Sequence, residues 1–217
     1  MLFEKLQLYL ETIYEVKTEH RVDDFIIRDP QLASLLDRGV DARDIPEKLL
    51  IHQHGEDMDV ALYLDSELID RLELDDPTCV LHDENLCDFW TALEGISHFL
   101  YLVWNATYAR KVSMLELELQ AEVDKYIVAA FLIRRQYNGV IPRELHYHLF
   151  ANARFDDRLT PTELERYRDA NYFAGKFCSH LQERFFRENR VLKELINELR
   201  RFYRLPQRNK IAAIQCL

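Results

Sequence analysis

Helix start and stop signals dominate the chain from about residue 84 to its C-terminus. Ser113 and Glu116 have the spacing of a capping box, and so do Thr160 and Glu163, with a proline in the first turn after Thr160. Apolar residues recur at helical spacing between such signals. The pattern predicts helices over about 84–109, 113–137, 142–153, 160–187 and 191–203, with a short last helix before the C-terminus. Only five glycines and six prolines occur in 217 residues, which argues against a turn-rich all-β fold.

The first 80 residues carry a different pattern. Apolar positions at helical spacing predict a helix over 2–16, and a shorter helix follows over about 31–37. Two alternating runs then flank Gly55 and predict a β-hairpin over 48–64. One face of its second strand would carry Met58, Val60, Leu62 and Leu64.

The sequence therefore predicts a mainly α protein. An antiparallel helical bundle would occupy 81–217, and a small N-terminal α/β appendage containing the β-hairpin would occupy 1–80. The boundary between the two is soft, because nothing near residue 80 resembles a flexible linker. The pattern is equally compatible with one domain.

The charge of the chain limits its partners. A formal net charge of −10 opposes general attraction to nucleic acid, so we expect no such partner. One basic patch lies near the C-terminus and comprises Arg200, Arg201, Arg204, Arg208 and Lys210. We interpret these residues as completing a helix C-terminus and pairing with the acidic excess, the alternative being a small phosphate- or RNA-contacting surface.

Cysteine usage and hydropathy predict a cytoplasmic protein without a membrane partner. The cysteines at positions 79, 87, 178 and 216 form no C-x-x-C pair, which favours free thiols over a zinc knuckle or a disulfide framework. The N-terminal stretch carries acidic residues where a signal peptide would be basic. The longest apolar runs are too short to span a bilayer.

Polar residues interrupt the apolar helix over 84–109. Glu94 and His98 are four residues apart and share a helix face, and Asn105 lies near that face. The next helix carries Glu118 and Glu122, also four apart. Reflection of the chain about the short connecting turn places Asn105 level with about Glu118 and leaves His98 roughly 4–5 Å along the axis from Glu122. This predicts the pairs His98–Glu122 and Asn105–Glu118, with Glu94 left without a partner.

These residues have two interpretations. In the first they form a buried polar layer between packed helices, in which each group needs a partner. In the second, Glu94, His98 and Glu122 form a catalytic acid/base site, or Glu94, His98, Glu118 and Glu122 hold a divalent transition metal such as zinc or iron. The chain departs from the di-iron bundle pattern, because Glu94/His98 and Glu144/His148 have a four-residue step where Glu-x-x-His is required. The late long helix offers Asp169, Asn171, Tyr172, His180 and Glu183, again without that motif.

A second set of histidines lies in the predicted hairpin. His52 and His54 would point to one face of a strand, as a metal site requires, and acidic residues follow at positions 56, 57 and 59. The run lacks the final histidine of a metallo-hydrolase motif. We therefore interpret it as a polar hairpin tip.

No sequence motif identifies a reaction. The nucleotide-binding glycine patterns, the G-x-S-x-G elbow and the H-E-x-x-H motif do not occur. The sequence predicts a protein-interaction or scaffolding module that is not an enzyme and needs no cofactor, with another protein or a second copy as its partner. The alternative is a metal-dependent or acid/base enzyme that uses the carboxylate/histidine group between the two central helices.

Overall fold

The computed structural model describes residues 1–37, 45–55, 57–142, 144–186 and 192–217. The helices in these ranges are α1 (Leu2–Tyr14), α2 (Pro30–Leu36), α3 (Ser66–Leu74), α4 (Asp83–Ala106), α5 (Met114–Gln136), α6 (Glu144–His146), α7 (Pro161–Leu181), α8 (Leu192–Arg204) and α9 (Gln207–Gln215). A 3₁₀ turn spans Val22–Asp24, and π-helical turns over Tyr147–Ala151 and Gln182–Phe186 extend α6 and α7. The strands are β1 (Ile26–Ile27), β2 (Glu47–His54) and β3 (Asp57–Leu64).

The prediction of a mainly α protein with a small α/β part is confirmed by these elements. β2 and β3 form the predicted antiparallel hairpin, with Gly55 in the turn at a φ of 64° that favours glycine. β1 was not predicted, because two residues are too few to show a periodicity. It pairs in parallel with β3, so that the strand order is β1-β3-β2. The antiparallel bundle arrangement and the division at residue 80 remain predictions.

The two faces of β3 pack against different groups of residues. Leu62 and Leu64 are buried in the main core, which also holds buried residues of α1, α4, α5, α7 and α8. Tyr63 points to the other face, where it packs with Leu50 and Ala33 in a small second cluster. The alternation of the strand therefore places the sheet between the main core and α2.

The capping signals position the central helices. Thr160 and Glu163 form the predicted reciprocal capping box of α7, and Ser113 Oγ accepts from the Glu116 N–H at the start of α5. α4 ends at Ala106, three residues before the predicted end, because the chain turns through a left-handed residue at Ala109. Glu56, residue 143 and residues 187–191, where parts of the hairpin and of three predicted helices fall, lie outside the described residues.

Gly95 allows the sheet to approach α4 closely. A Cβ atom built at this position would lie 2.7 Å from Leu62 Cδ1 and 2.9 Å from both Cγ and Oε1 of Glu47. These distances are shorter than van der Waals contact, so a side chain at position 95 would have to displace Leu62 and Glu47. The close approach brings Glu47, at the start of β2, against the polar face of α4.

We expect Gly95→Ala to lower the free energy of unfolding by about 1–2 kcal/mol, because overpacking at this contact outweighs the better helix propensity of alanine. Urea denaturation measures the change. Cys87→Ala, at an exposed position of the same helix, serves as the control and is expected to stay within about 0.5 kcal/mol of the unmodified protein. A more stable Gly95→Ala protein would show that the sheet does not pack this closely on α4.

Candidate functional site

Four elements bring charged side chains together beside α4. α4 contributes Glu94 and His98, four residues apart on one face. β2 contributes Glu47 and α7 contributes Arg166. α5 contributes its own charged residues from one face, Glu118, Glu122 and Lys125. We call these seven residues, Glu47, Glu94, His98, Glu118, Glu122, Lys125 and Arg166, the charged cluster.

Lys125 lies between two carboxylates. Its Nζ donates to Glu94 Oε2 at 2.7 Å and to Glu122 Oε1 at 2.8 Å, and its side chain is only 9% exposed. Burial opposes a charge on the ammonium group, but Glu122 and Glu94 outweigh burial and raise the pKa of Lys125. Lys125 is therefore a permanent cation that links α4 to α5.

The two carboxyl groups that bind Lys125 respond differently. Burial acts to raise the pKa of Glu94, but Lys125 and His98 overcome this effect and leave the pKa below its ordinary value. Burial raises the pKa of Glu122, and Lys125 does not fully offset it because Glu94 adds a repelling charge. Glu122 thus holds a proton more readily than Glu94.

His98 lies between two further carboxylates. Its Nε2 is 3.4 Å from Glu118 Oε2 and its Nδ1 is 3.7 Å from Glu47 Oε1. Burial disfavours the imidazolium, but Glu118 and Glu47 raise the pKa of His98 well above its ordinary value. Burial also raises the pKa of Glu47 itself. His98 Nε2 has no hydrogen-bond partner among the described residues, since the contact with Glu118 is poorly directed.

Arg166 completes the cluster from α7. Its Nε lies 3.8 Å from Glu118 Oε1, and its guanidinium stacks over the ring of Tyr167 at 5.2 Å from the centroid. Glu118 therefore lies between a histidine and an arginine. This contact ties α7 to the polar faces of α4 and α5.

The predicted pairings within this region are wrong in detail. His98 contacts Glu118 where Glu122 was expected, and Glu94, expected to lack a partner, binds Lys125. The early end of α4 moves the centre of the turn to about residue 110, which brings Lys125 nearly level with Glu94 and leaves Glu122 level with His98. Lys125 then engages Glu122 as well, because a buried cation gains from both carboxylates.

Asn105 was also assigned the wrong partner. Its side-chain oxygen accepts from Arg110 Nη1 at 2.6 Å, and its amide donates to the Tyr101 carbonyl at 2.7 Å. Arg110 also pairs with Glu116, which accepts a 2.6 Å bond from the Tyr101 hydroxyl. Arg110 folds back over the end of α4. The side chain of Asn105 is therefore hydrogen-bonded near the end of its own helix and not to Glu118.

A cavity of about 840 Å³ opens beside the charged cluster. Glu47, Glu94, Glu122 and Lys125 contribute to its wall. Trp90, Tyr167 and Phe155 supply aromatic surface. Further lining comes from the segment after α6 and from α7, including His148, Leu149, Asn152, Arg154, Asp156, Leu159 and Asn171. The buried charges therefore lie at the edge of an open space.

Several residues of this region were not found from the sequence. Lys125 could have been recognised as a candidate, because it is a charged residue within the buried face of α5. No sequence signal points to Glu47 or Arg166, because local patterns do not indicate where β2 and α7 pack against the other elements. Asn171 and His148 were noted as parts of unmatched motifs, and they line the cavity.

Three residues of the cluster have the spacing of a metal site. One potential ligand atom from each of Glu94, His98 and Glu118 lies within 4.8 Å of the others. Within the described ranges, this is the one group of histidine, cysteine and carboxylate side chains compact enough to hold an ion. Glu122 is not part of it, and neither are the hairpin histidines.

The hairpin histidines lie side by side on β2. Their rings are 4.0 Å apart in an edge-to-face arrangement, which fits the expected common face. His54 Nε2 lies 3.7 Å from Asp59 Oδ2 at the exposed end of the hairpin.

The C-terminal basic residues are spread over different environments. Arg200 and Arg204 donate to backbone carbonyls at the end of α1, which agrees with the expected role at a helix C-terminus, although the helix is a neighbouring one. Lys210 is fully buried and donates to Gln120, and burial lowers its pKa to about 7. Arg201 and Arg208 are exposed.

Two further features bear on the sequence predictions. All four cysteines are free thiols, and Cys178 alone among them is buried. Within the described part of the chain, no helix is both long and apolar enough to cross a membrane.

The chain matches no protein-family model, and no curated protein or solved structure is significantly similar to it. The geometry of the cluster and the cavity is therefore the basis for any functional proposal.

Proposed function

We propose that this protein binds a small organic molecule in the cavity, with the charged cluster receiving the polar end of the ligand. The observation that carries this proposal is that Glu94, Glu122 and Lys125, which are largely buried and ion-paired, also line a cavity of about 840 Å³. That volume is typical of small-molecule sites, which combine an apolar wall with a few converging polar groups.

A purely structural polar layer explains less of this arrangement. Buried ion pairs are weak contributors to stability, because desolvation offsets much of their attraction. Burying seven charged residues beside an open cavity therefore adds little to the stability of the fold, which indicates a role besides folding. The raised pKa values of Glu47 and Glu122 also suit proton exchange with a bound molecule, which supports the acid/base alternative of the sequence prediction.

Fragment binding tests this proposal. Trp90 lines the cavity and its indole resonance reports on occupancy, while Trp104 lies elsewhere and provides an internal reference. We expect a panel of cationic, neutral and anionic aromatic fragments to include members that shift Trp90 and not Trp104. Ala153→Trp should abolish these shifts, because Ala153 lines the cavity and the larger side chain fills it.

Ala151→Trp is the matched control, since Ala151 is exposed two residues away and does not line the cavity. This variant should retain fragment binding. The proposal fails if no fragment shifts Trp90, or if both tryptophan variants leave binding unchanged.

A divalent metal held by Glu94, His98 and Glu118 is a second candidate function, favoured by the 4.8 Å grouping of their ligand atoms. His98 Nε2, which forms no hydrogen bond within the described residues, suits a metal, since neutral imidazole nitrogen is a common zinc ligand. Lys125 and Arg166 oppose it, because each already contacts one of the carboxylates. A zinc ion would have to displace the proton of His98 and outcompete these cations.

Dialysis against zinc followed by metal analysis tests the second candidate. A metal site predicts about one zinc retained per chain, lost in His98→Gln and kept in the control His52→Gln/His54→Gln. An absence of retained zinc in the unmodified protein contradicts the candidate without any variant.

A protein partner or homo-oligomer, a role as a scaffolding module and a cytoplasmic location remain predictions of the sequence. The exposed aromatic residues Tyr108, Tyr147 and Tyr172 offer surface for such a partner, but they lie in separate parts of the chain: in the turn after α4, in the π-helical turn after α6 and on α7.

A further inference from the structure

The charged cluster contains more carboxylates than cations. Its acidic members are Glu47, Glu94, Glu118 and Glu122, and its basic members are Lys125, Arg166 and His98. Even with His98 protonated, four negative groups face three positive ones. One carboxylate therefore has no counter-charge within the cluster.

Three of the four acidic members of the cluster line the cavity, whereas Lys125 is the one cation of the cluster that does. Both hydrogen bonds of Lys125 are directed to carboxylates, so Glu94 and Glu122 already neutralise the one cluster cation that lines the cavity. Glu122 Oε2 and Glu47 Oε1 are buried and lack hydrogen-bond partners among the described residues. Both residues line the cavity, but these two oxygens are themselves closed to solvent, so a ligand that donates to them must reorient the carboxyl group.

The remaining wall adds negative charge and aromatic surface. Asp83 and Asp156 also line the cavity, against Arg154 as the second basic residue. Among the described residues the lining thus has five acidic and two basic side chains, of which Asp156 is ion-paired with Arg158. Trp90 and Tyr167 provide ring faces and edges close to these charges, and carboxylates beside aromatic rings are suited to organic cations.

We propose that the cavity binds an organic ammonium or guanidinium compound, whose cationic group pairs with Glu122 while its apolar body lies against Trp90 and Tyr167. This inference rests on the proposed small-molecule function and names the ligand class. A cation with N–H donors supplies both the missing charge and the missing hydrogen bonds. An anion would meet Lys125 already occupied by two carboxylates, which leaves the exposed Arg154 as the other basic group of the described lining.

Three probes of nearly equal shape test the charge preference. Benzylamine is a cation near neutral pH, benzyl alcohol is neutral, and benzoate is an anion. We expect the Trp90 indole resonance to titrate with benzylamine at a Kd about tenfold or more below that of benzyl alcohol, which is a typical effect of pairing one desolvated charge. Benzoate should bind more weakly than either.

Glu122→Gln should remove most of this preference, because the amide keeps the shape of the side chain and loses its charge. Glu84→Gln is the matched control: it makes the same change of net charge at an exposed position of α4 outside the cavity, and we expect less than a twofold effect. The comparison of the three probes on the unmodified protein does not depend on either variant folding.

The outcomes separate this inference from the proposal on which it rests. Equal or tighter binding of benzyl alcohol or benzoate at Trp90 overturns the cation preference and leaves small-molecule binding intact. A preference for benzylamine that Glu122→Gln does not change, in a variant whose spectrum shows it folded, overturns the assigned contact. If none of the three probes shifts Trp90, the inference fails, and the fragment panel with Ala153→Trp decides the broader proposal.

Discussion

The buried ammonium group of Lys125 is the interaction on which the site depends. It bridges a carboxylate of α4 and one of α5, at 2.7 and 2.8 Å, in a position almost closed to solvent. Two buried carboxylates that share one ammonium group would repel each other strongly if that group were absent. The ion therefore determines how the polar faces of the two helices can meet, and it leaves His98 to pair with Glu118 and Glu47.

The same constraint connects the hairpin to the helices. Glu47 reaches His98 only because Gly95 lets the sheet pack directly on α4. Arg166 closes the arrangement from α7 through Glu118. The cluster thus joins four elements around one edge of the cavity, and three of its four carboxylates line that cavity. This combination favours ligand binding over a sealed structural layer, because a sealed layer would be expected to balance its charges.

The parts of the fold that depend on a few neighbouring residues could be predicted from the sequence. Caps such as Thr160 with Glu163, and the turn at Gly55, act within a few residues, so the helices and the hairpin were found. The polar residues Glu94 and His98 were also identified as the centre of interest. Their partners were not, because pairing depends on where α4 ends and on competition among neighbours for Lys125. The cavity and the contribution of Glu47 depend on how distant elements dock, which no local pattern encodes.

The comparison of a buried and an exposed lysine tests the central claim most directly. Lys125→Met leaves two buried carboxylates without their cation, and we expect the free energy of unfolding to fall by about 3–5 kcal/mol. Lys5→Met breaks a 2.9 Å ion pair with Asp76 at a side chain that is 53% exposed, and we expect little or no loss of stability, because solvent screens an exposed pair. Chemical denaturation measures both. A loss for Lys125→Met no larger than that for Lys5→Met would contradict the account, because Lys125 would then not hold the two carboxylates in place.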